Sequence, residues 1–246
     1  MKRQQLRKLC LIVSLLLFPI TLYYFSPVLI LFAGLQGIIN GSFIVFILML
    51  VLSIPFGRVF CAYICPAGGL QACLCNVNQK KPAQGWRNRI KYVIWSVWIV
   101  AVVLCYLNRT RSLSIDFFFM TEHGISVSAI YGYVIYYGII LLIAVPSLVF
   151  GKRAFCHYLC WMAPFMVLGT KLRNLLHLPG LHVAVRSQSC IGCEKCTRSC
   201  PMGLDVAQMV KDGKFADSEC IQCGACVDVC PRDVLCYTMK GKKEGN

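Results

Sequence analysis

Between Leu9 and Phe56 the chain runs for 48 residues without a Lys, Arg, Asp, Glu or His. One helix of that length would extend about 72 Å, more than twice a hydrocarbon core of roughly 30 Å, so the run must fold back. Ser26-Pro27 and the cluster Gly34, Gly37, Asn40 and Gly41 supply the breaks, because proline ends a helix and glycine accepts a turn. The pattern predicts a first span at Leu9–Phe25, a second at Ile38–Phe56, and a turn or short helix over Pro27–Gly37. A polar stretch opens at Arg58. Apolar runs resume at Tyr92–Leu107 and Ser126–Phe150, a third and fourth span joined by Asn108–Ile125.

Composition agrees with a membrane protein: 58 % of the 246 residues are hydrophobic and 14 % are charged. The net charge of +15 would suggest nucleic-acid binding, but its location argues otherwise. Residues 187–246 hold eight basic and eight acidic side chains, so the whole excess lies in 1–186, with 17 basic and two acidic. Four Lys and Arg precede the first span, six lie between Arg58 and Lys91, two lie between spans three and four, and none lies between spans one and two. The positive-inside rule then puts the N-terminus, the middle loop and the C-terminal stretch on the cytoplasmic side of an inner membrane. MKRQQLRK followed by an apolar run begins like a signal peptide, yet the run continues past any A-x-A site and reads as a retained first span.

Seventeen cysteines change the picture. GRVFCAYICP (57–66) and GKRAFCHYLCW (151–161) stand at the ends of spans two and four, so each half of the membrane part is a hairpin closed by Phe-Cys-x3-Cys. A helical i, i+4 spacing would put both thiols of a pair on one face. Packing of the halves about a pseudo-two-fold axis would bring Cys61, Cys65, Cys156 and Cys160 together at the membrane edge. Three roles are open for them: a third metal centre, a redox-active dithiol pair, or small buried residues marking helix ends.

The C-terminal stretch is more specific. CIGCEKCTRSCP and CIQCGACVDVCP both read C-x2-C-x2-C-x3-C-P, in which a short loop of thiolates wraps three corners of a cubane and the fourth cysteine reaches over to the other cluster. One [4Fe–4S] cluster is thereby assigned to Cys190, Cys193, Cys196 and Cys230, and a second to Cys220, Cys223, Cys226 and Cys200. Zinc or disulfides would leave the third and fourth cysteines of each run unexplained. The stretch resembles the two-[4Fe–4S] ferredoxin domain, including the small Gly224 and Ala225 between ligands.

The expected architecture is a membrane all-α unit over 1–186, with four transmembrane helices in two pseudo-repeated hairpins, and a cytoplasmic α+β ferredoxin unit over 187–246. Two hairpins each followed by Cys-x3-Cys, then a double cluster motif, resemble the NapH-type membrane ferredoxins, which are related to the membrane part of NosR and to polyferredoxin-like maturation proteins. Cys61, Cys65 and Pro66 match that family's Cys-x3-Cys-Pro; the second copy has Trp161 where proline is expected, and His157 inside the motif. The resemblance implies quinol oxidation, with electrons passing from the quinone pool through the clusters to a partner reductase. The alternative is an assembly factor that reduces a metal ion or a disulfide through the Cys-x3-Cys thiols. No G-x-G-x-x-G and no C-x-x-C-H is present, so neither a dinucleotide fingerprint nor covalent haem attachment is encoded.

Asp116, Glu122 and His123 lie among aromatics in IDFFFMTEHG (115–124), with Tyr131, Tyr133, Tyr136 and Tyr137 nearby. They read either as proton acceptors for a quinol or as an interfacial aromatic loop. Cys73 and Cys75 read as interface residues or spare ligands, and Cys10, Cys105 and Cys236 as packing residues.

Overall fold

The structure, a computed structural model, describes residues 2–239 apart from Gln84, Thr110, Gln188, Lys214 and Ala216; the last seven residues of the expected second unit, 240–246, lie outside the described residues. The chain opens with α1 (Lys2–Leu16) and α2 (Phe18–Thr21), continued by a 3-10 turn over Leu22–Phe25. The expected first span is therefore broken, with a bend of 61° at Leu17. Pro19 in the first turn of α2 is the physical cause, since it lacks an N–H and its ring clashes with the carbonyl four residues back. Ser26 then starts α3 (Pro27–Gln36) by accepting from the Leu29 N–H, and Gly37 ends it at φ +74°. The segment expected to be a turn or short helix is thus a ten-residue helix.

A three-residue strand β1 (Ile38–Asn40) leads into α4 (Gly41–Phe56). Asn40 caps α4 by accepting from the Phe43 N–H and ties it back to α3 by donating to the Leu29 carbonyl. Two short helices follow, α5 (Val59–Tyr63) and α6 (Pro66–Leu74); a 3-10 turn over Trp86–Arg89 then runs into α7 (Ile90–Leu107). After β2 (Ser114–Asp116), which pairs in parallel with β1, comes α8 (Ile130–Phe150) and then α9 (Ala154–Tyr158) and α10 (Ala163–Leu175).

Among the described residues, two helices are long and apolar enough to cross a membrane, Trp86–Leu107 and Ile130–Phe150, and the bent pair makes a third if it counts as one span. α4 is apolar but has 16 residues, about 24 Å, short of a full hydrocarbon core. The outward faces are greasy: Val93, Val97, Val100, Leu104 and Leu107 on α7 are all more than half exposed, as lipid contact requires and water would penalise. The protein is a membrane protein, mostly helical, with two to three candidate spans.

The C-terminal part is built on an antiparallel pair, β3 (His182–Val185) with β4 (Leu235–Thr238), in register Val185↔Leu235 to His182↔Thr238. Between the strands lie α11 (Lys195–Ser199), α12 (Val206–Lys211) and α13 (Ala225–Asp228). Val183, Met202, Leu204, Val206, Ile221 and Leu235 are buried between these elements. They share one continuous core with the membrane-part residues Cys61, Cys65, Phe155 and Met166.

Candidate metal centres

The two cysteine runs fold alike. In the first, Gly192 and Glu194 take positive φ (+68° and +55°); in the second, Gln222 and Gly224 do so at the corresponding places (+57° and +71°). Alternating left-handed residues curl each loop about a hollow instead of letting it run on as helix, at a strain cost borne by Glu194 and Gln222. Gly224 has a second reason to be glycine, since a Cβ there would lie 2.6 Å from the Tyr237 hydroxyl. That hydroxyl donates to the Gln222 carbonyl at 2.7 Å.

Each hollow is lined by four thiols. Cys190, Cys193, Cys196 and Cys230 line one, and Cys200, Cys220, Cys223 and Cys226 line the other. The last cysteine of each run therefore sits with the first three of the opposite run. Among the described residues no three His, Cys, Asp or Glu are gathered to hold a single metal ion. The two hollows differ in depth. Cys190 is exposed and Cys193, Cys196 and Cys230 are partly so, whereas Cys200, Cys223 and Cys226 are buried. Burial pushes the free Cys200 thiol up to about 11 and that of Cys226 to about 12. Binding iron there must displace protons that these thiols otherwise keep.

The membrane-part pairs Cys61/Cys65 and Cys156/Cys160 are each 3 % exposed. Burial comes first in raising the Cys65 thiol, and the proximity of Cys61, Cys156 and Cys160 adds to it. Their local geometry differs from the expected single helical face. α5 and α9 have five residues each and stop before the second cysteine, and Cys65 is extended (φ −68°, ψ 119°). Both motifs make one turn: the Phe60 carbonyl accepts from Ile64 and Cys65 N–H at 2.9 Å, and the Phe155 carbonyl accepts from Leu159 and Cys160 at 3.0 and 2.9 Å. Trp161 in place of proline does not alter this turn. It delays the next helix, which starts at Ala163 with Pro164 in its first turn, whereas Pro66 opens α6 at once. The Trp161 indole donates instead to the Phe25 carbonyl at 3.1 Å.

Residues the sequence did not single out surround the four thiols. Gln71, fully buried, donates to the Cys156 sulfur at 3.1 Å, and its carbonyl oxygen accepts from the Ser147 hydroxyl at 3.1 Å. Met166 Sδ stands 3.7 Å from Cys61 Sγ. Arg58 and Arg153 are both 0 % exposed. Their signal was present in the sequence, since each lies three residues before the first cysteine of its pair.

The cluster part is bolted to this region. Arg58 Nη1 donates to Glu219 Oε2 and Lys91 Nζ to Glu219 Oε1, both at 2.6 Å and both buried. Burial alone would raise the Glu219 carboxyl, but the charges of Arg58 and Lys91 hold it down at about 2. Gln222, between two cysteines of the deeper hollow, packs on Gly57. Opposite, His157 shares a 2.9 Å hydrogen bond with the Met202 carbonyl. A carbonyl only accepts, so Nε2 carries the proton; burial first of all lowers this imidazole to about 4 and keeps it neutral. At the start of α1, Gln4 donates to the Cys223 carbonyl at 2.9 Å and Arg3 pairs with Asp228.

Two further features bear on the site. An apolar cavity of about 300 Å³ opens along α4, lined by Val45, Met49, Leu52, Phe60 and Ile64 and closed by Met166, the residue that touches Cys61. The loop residues Asp116, Glu122 and His123, with Tyr131, Tyr133 and Tyr137, are exposed.

Comparison with known proteins fits this geometry. The family described as a 4Fe-4S dicluster domain matches residues 182–231. A family described as a 4Fe-4S binding domain matches twice, at 41–83 and 131–179, each copy enclosing one Cys-x3-Cys pair. The chain is 27 % identical to MJ0750 of Methanocaldococcus jannaschii over 218 residues, 85 % of this chain and 84 % of that one. It is 24 % identical to the ferredoxin-type protein NapH of Haemophilus influenzae over 81 % of this chain and 68 % of that one. YccM of Escherichia coli, named for electron transport, is 23 % identical over 80 % of this chain and 55 % of its own length. No solved structure matches. The chain is thus similar to ferredoxin-type membrane proteins such as NapH and YccM, and its two 4Fe-4S family matches imply that it carries [4Fe–4S] clusters.

Proposed function

We propose that this protein takes electrons from the quinol pool and passes them, through the deeper cluster and then the outer one, to a partner reductase. In this reading the membrane part is 1–186 and the cluster part 187–246. Cys200, Cys220, Cys223 and Cys226 hold the inner cluster, and Cys190, Cys193, Cys196 and Cys230 the outer one. A bound [4Fe–4S] cluster supplies one-electron transfer. The residues of the chain set the order. The observation that carries the reading is the buried junction of Glu219 with Arg58 and Lys91, which seats the inner hollow directly on the membrane thiols. The outer hollow ends at exposed Cys190 and Ile191, where a partner protein can come within transfer distance.

The quinol reading draws support from the apolar cavity beside α4, which has the lining a quinone ring and isoprenoid tail need and borders Met166 against Cys61. Four crossings also suit the contacts. α1 begins at Arg3 and Gln4 on the cluster loop, so the N-terminus shares a side with the clusters and an even number of passes follows. The bent first segment, α4, α7 and α8 are those passes, and the Lys and Arg distribution makes the shared side cytoplasmic. Thiol exchange with a protein disulfide is disfavoured, because all four membrane thiols are buried and exchange needs access.

The test is an EPR-monitored redox titration with a menaquinol analogue as donor. Reduction of both clusters by the quinol supports the reading, and cluster potentials far below the quinone couple would sink it.

A further inference from the structure

A small polar pocket lies at the C-terminal end of α10, with Thr170, Arg173, Asp217, Cys220 and Gln222 in its lining. Its volume of about 30 Å³ takes a hydroxyl group or a water and excludes a ring. Gln222 stands between Cys220 and Cys223 in sequence, yet it lines this pocket and not the inner hollow. It is 5 % exposed, and its Oε1 finds no hydrogen-bond donor among the described residues. A buried amide oxygen left unpaired is costly enough to call for a ligand that donates. The other buried side chains of the pocket are already engaged. Arg173 donates to the Leu181 carbonyl at 3.0 Å and to Asn174 Oδ1 at 2.9 and 3.2 Å. Thr170 donates its hydroxyl to the Met166 carbonyl at 2.8 Å, which leaves its oxygen able to accept. Arg173 and Asp217 offset each other in charge, so the pocket suits a neutral group that donates a hydrogen bond.

The pocket adjoins the α4 cavity at Gly57, which lines that cavity. A Cβ on Gly57 would stand 3.5 Å from Gln222 Cγ and 3.8 Å from both Gln222 Nε2 and Thr170 Oγ1. Gly57 has φ +61°, where glycine is favoured, and its missing side chain leaves a narrow opening between the apolar cavity and the polar pocket. We propose that this pocket is the hydroxyl site of the quinol: the ring lies in the α4 cavity, one hydroxyl reaches past Gly57, and Thr170 Oγ1 and Gln222 Oε1 accept its hydrogen bond between them. A quinone has only acceptors and gains nothing from these oxygens, so the pocket holds the reduced carrier and releases the oxidised one. Cys220 lines the same pocket, which brings the hydroxyl oxygen to the side of a ligand of the inner cluster.

This rests on the quinol reading and names where within it the headgroup sits. The test is calorimetric titration of the full chain in detergent, with the clusters held reduced by dithionite so that a bound quinol cannot pass electrons on. Menadiol is the donating probe, and its dimethyl ether, with the same ring and no hydroxyl proton, is the control. The parent should bind menadiol about tenfold more tightly than the ether. Thr170→Val and Gln222→Met should each weaken menadiol severalfold and together bring it to the level of the ether, while affinity for the ether, iron content and the cluster EPR signals stay unchanged. If Gln222→Met loses the inner cluster, Thr170→Val alone decides. Equal losses for both ligands, or no loss for menadiol, overturn the hydroxyl site and leave the quinol reading standing. A parent that binds neither ligand overturns both.

Discussion

Arg58 and Glu219, 161 positions apart in sequence, meet at 2.6 Å in a buried ion pair that joins the first Cys-x3-Cys motif to the residue preceding Cys220. Lys91 closes the same carboxylate from the other side. The junction is an all-or-none device, because removing its one acid strands two cations.

Glu219→Gln should therefore cost about 3–5 kcal/mol, read as a lowered denaturation midpoint at neutral pH. Lys91→Met in the same background should restore part of it. The pH dependence has a definite sign. The folded carboxyl titrates at about 2, below its ordinary 4.5, so the stabilisation is full above about pH 4.5 and is lost as pH falls toward 2. The parent and Glu219→Gln should converge over that window; a gap that stays constant down to pH 2 would refute the assignment.

The crossing of ligands between the two runs predicts an asymmetric pair of variants. Cys230→Ser should abolish the EPR signal of the outer cluster, and Cys200→Ser that of the inner one. In Cys200→Ser the outer cluster should still be reduced by dithionite but no longer by quinol. Equal reduction by both donors would show that electrons bypass the inner cluster.

Filling the α4 cavity tests the entry point. Leu52→Trp should slow quinol-driven cluster reduction at least tenfold, while iron content and dithionite reduction stay unchanged. Stopped-flow absorbance of the clusters reads both arms. Loss of iron would mark a folding defect instead.

Gly169 marks the closest approach of α10 to α4: a Cβ there would lie 1.8 Å from Ser53 Oγ and 2.9 Å from the Leu50 carbonyl. The hydroxyl can rotate away but the carbonyl cannot. Gly169→Ala should then cost about 1–3 kcal/mol through overpacking, seen in the thermal midpoint, with cluster spectra unaltered at low temperature. Ser53→Ala in combination should recover little, since the backbone clash remains.

The cysteine spacing, the apolar runs and the doubled Phe-Cys-x3-Cys were legible in the sequence because each is local: a period, a spacing or a repeat is written along the chain. The same holds for the Ser26-Pro27 break. Pro19 was just as visible but was absorbed into an apolar run, and it bends the first segment by 61°. The i, i+4 rule also misled at Cys65 and Cys160, because it presumes an unbroken helix, and five-residue helices end before the second thiol.

By itself the sequence determined that the chain enters a membrane and carries two four-thiolate runs, since hydropathy and ligand spacing need no partner from elsewhere in the chain. Only the tertiary structure decided which hollow is inner and which outer, and that Arg58, Arg153, Lys91 and Glu219 belong with the thiols. Those facts concern charges brought together from distant positions, and the energy of a buried charge depends on what the fold places beside it.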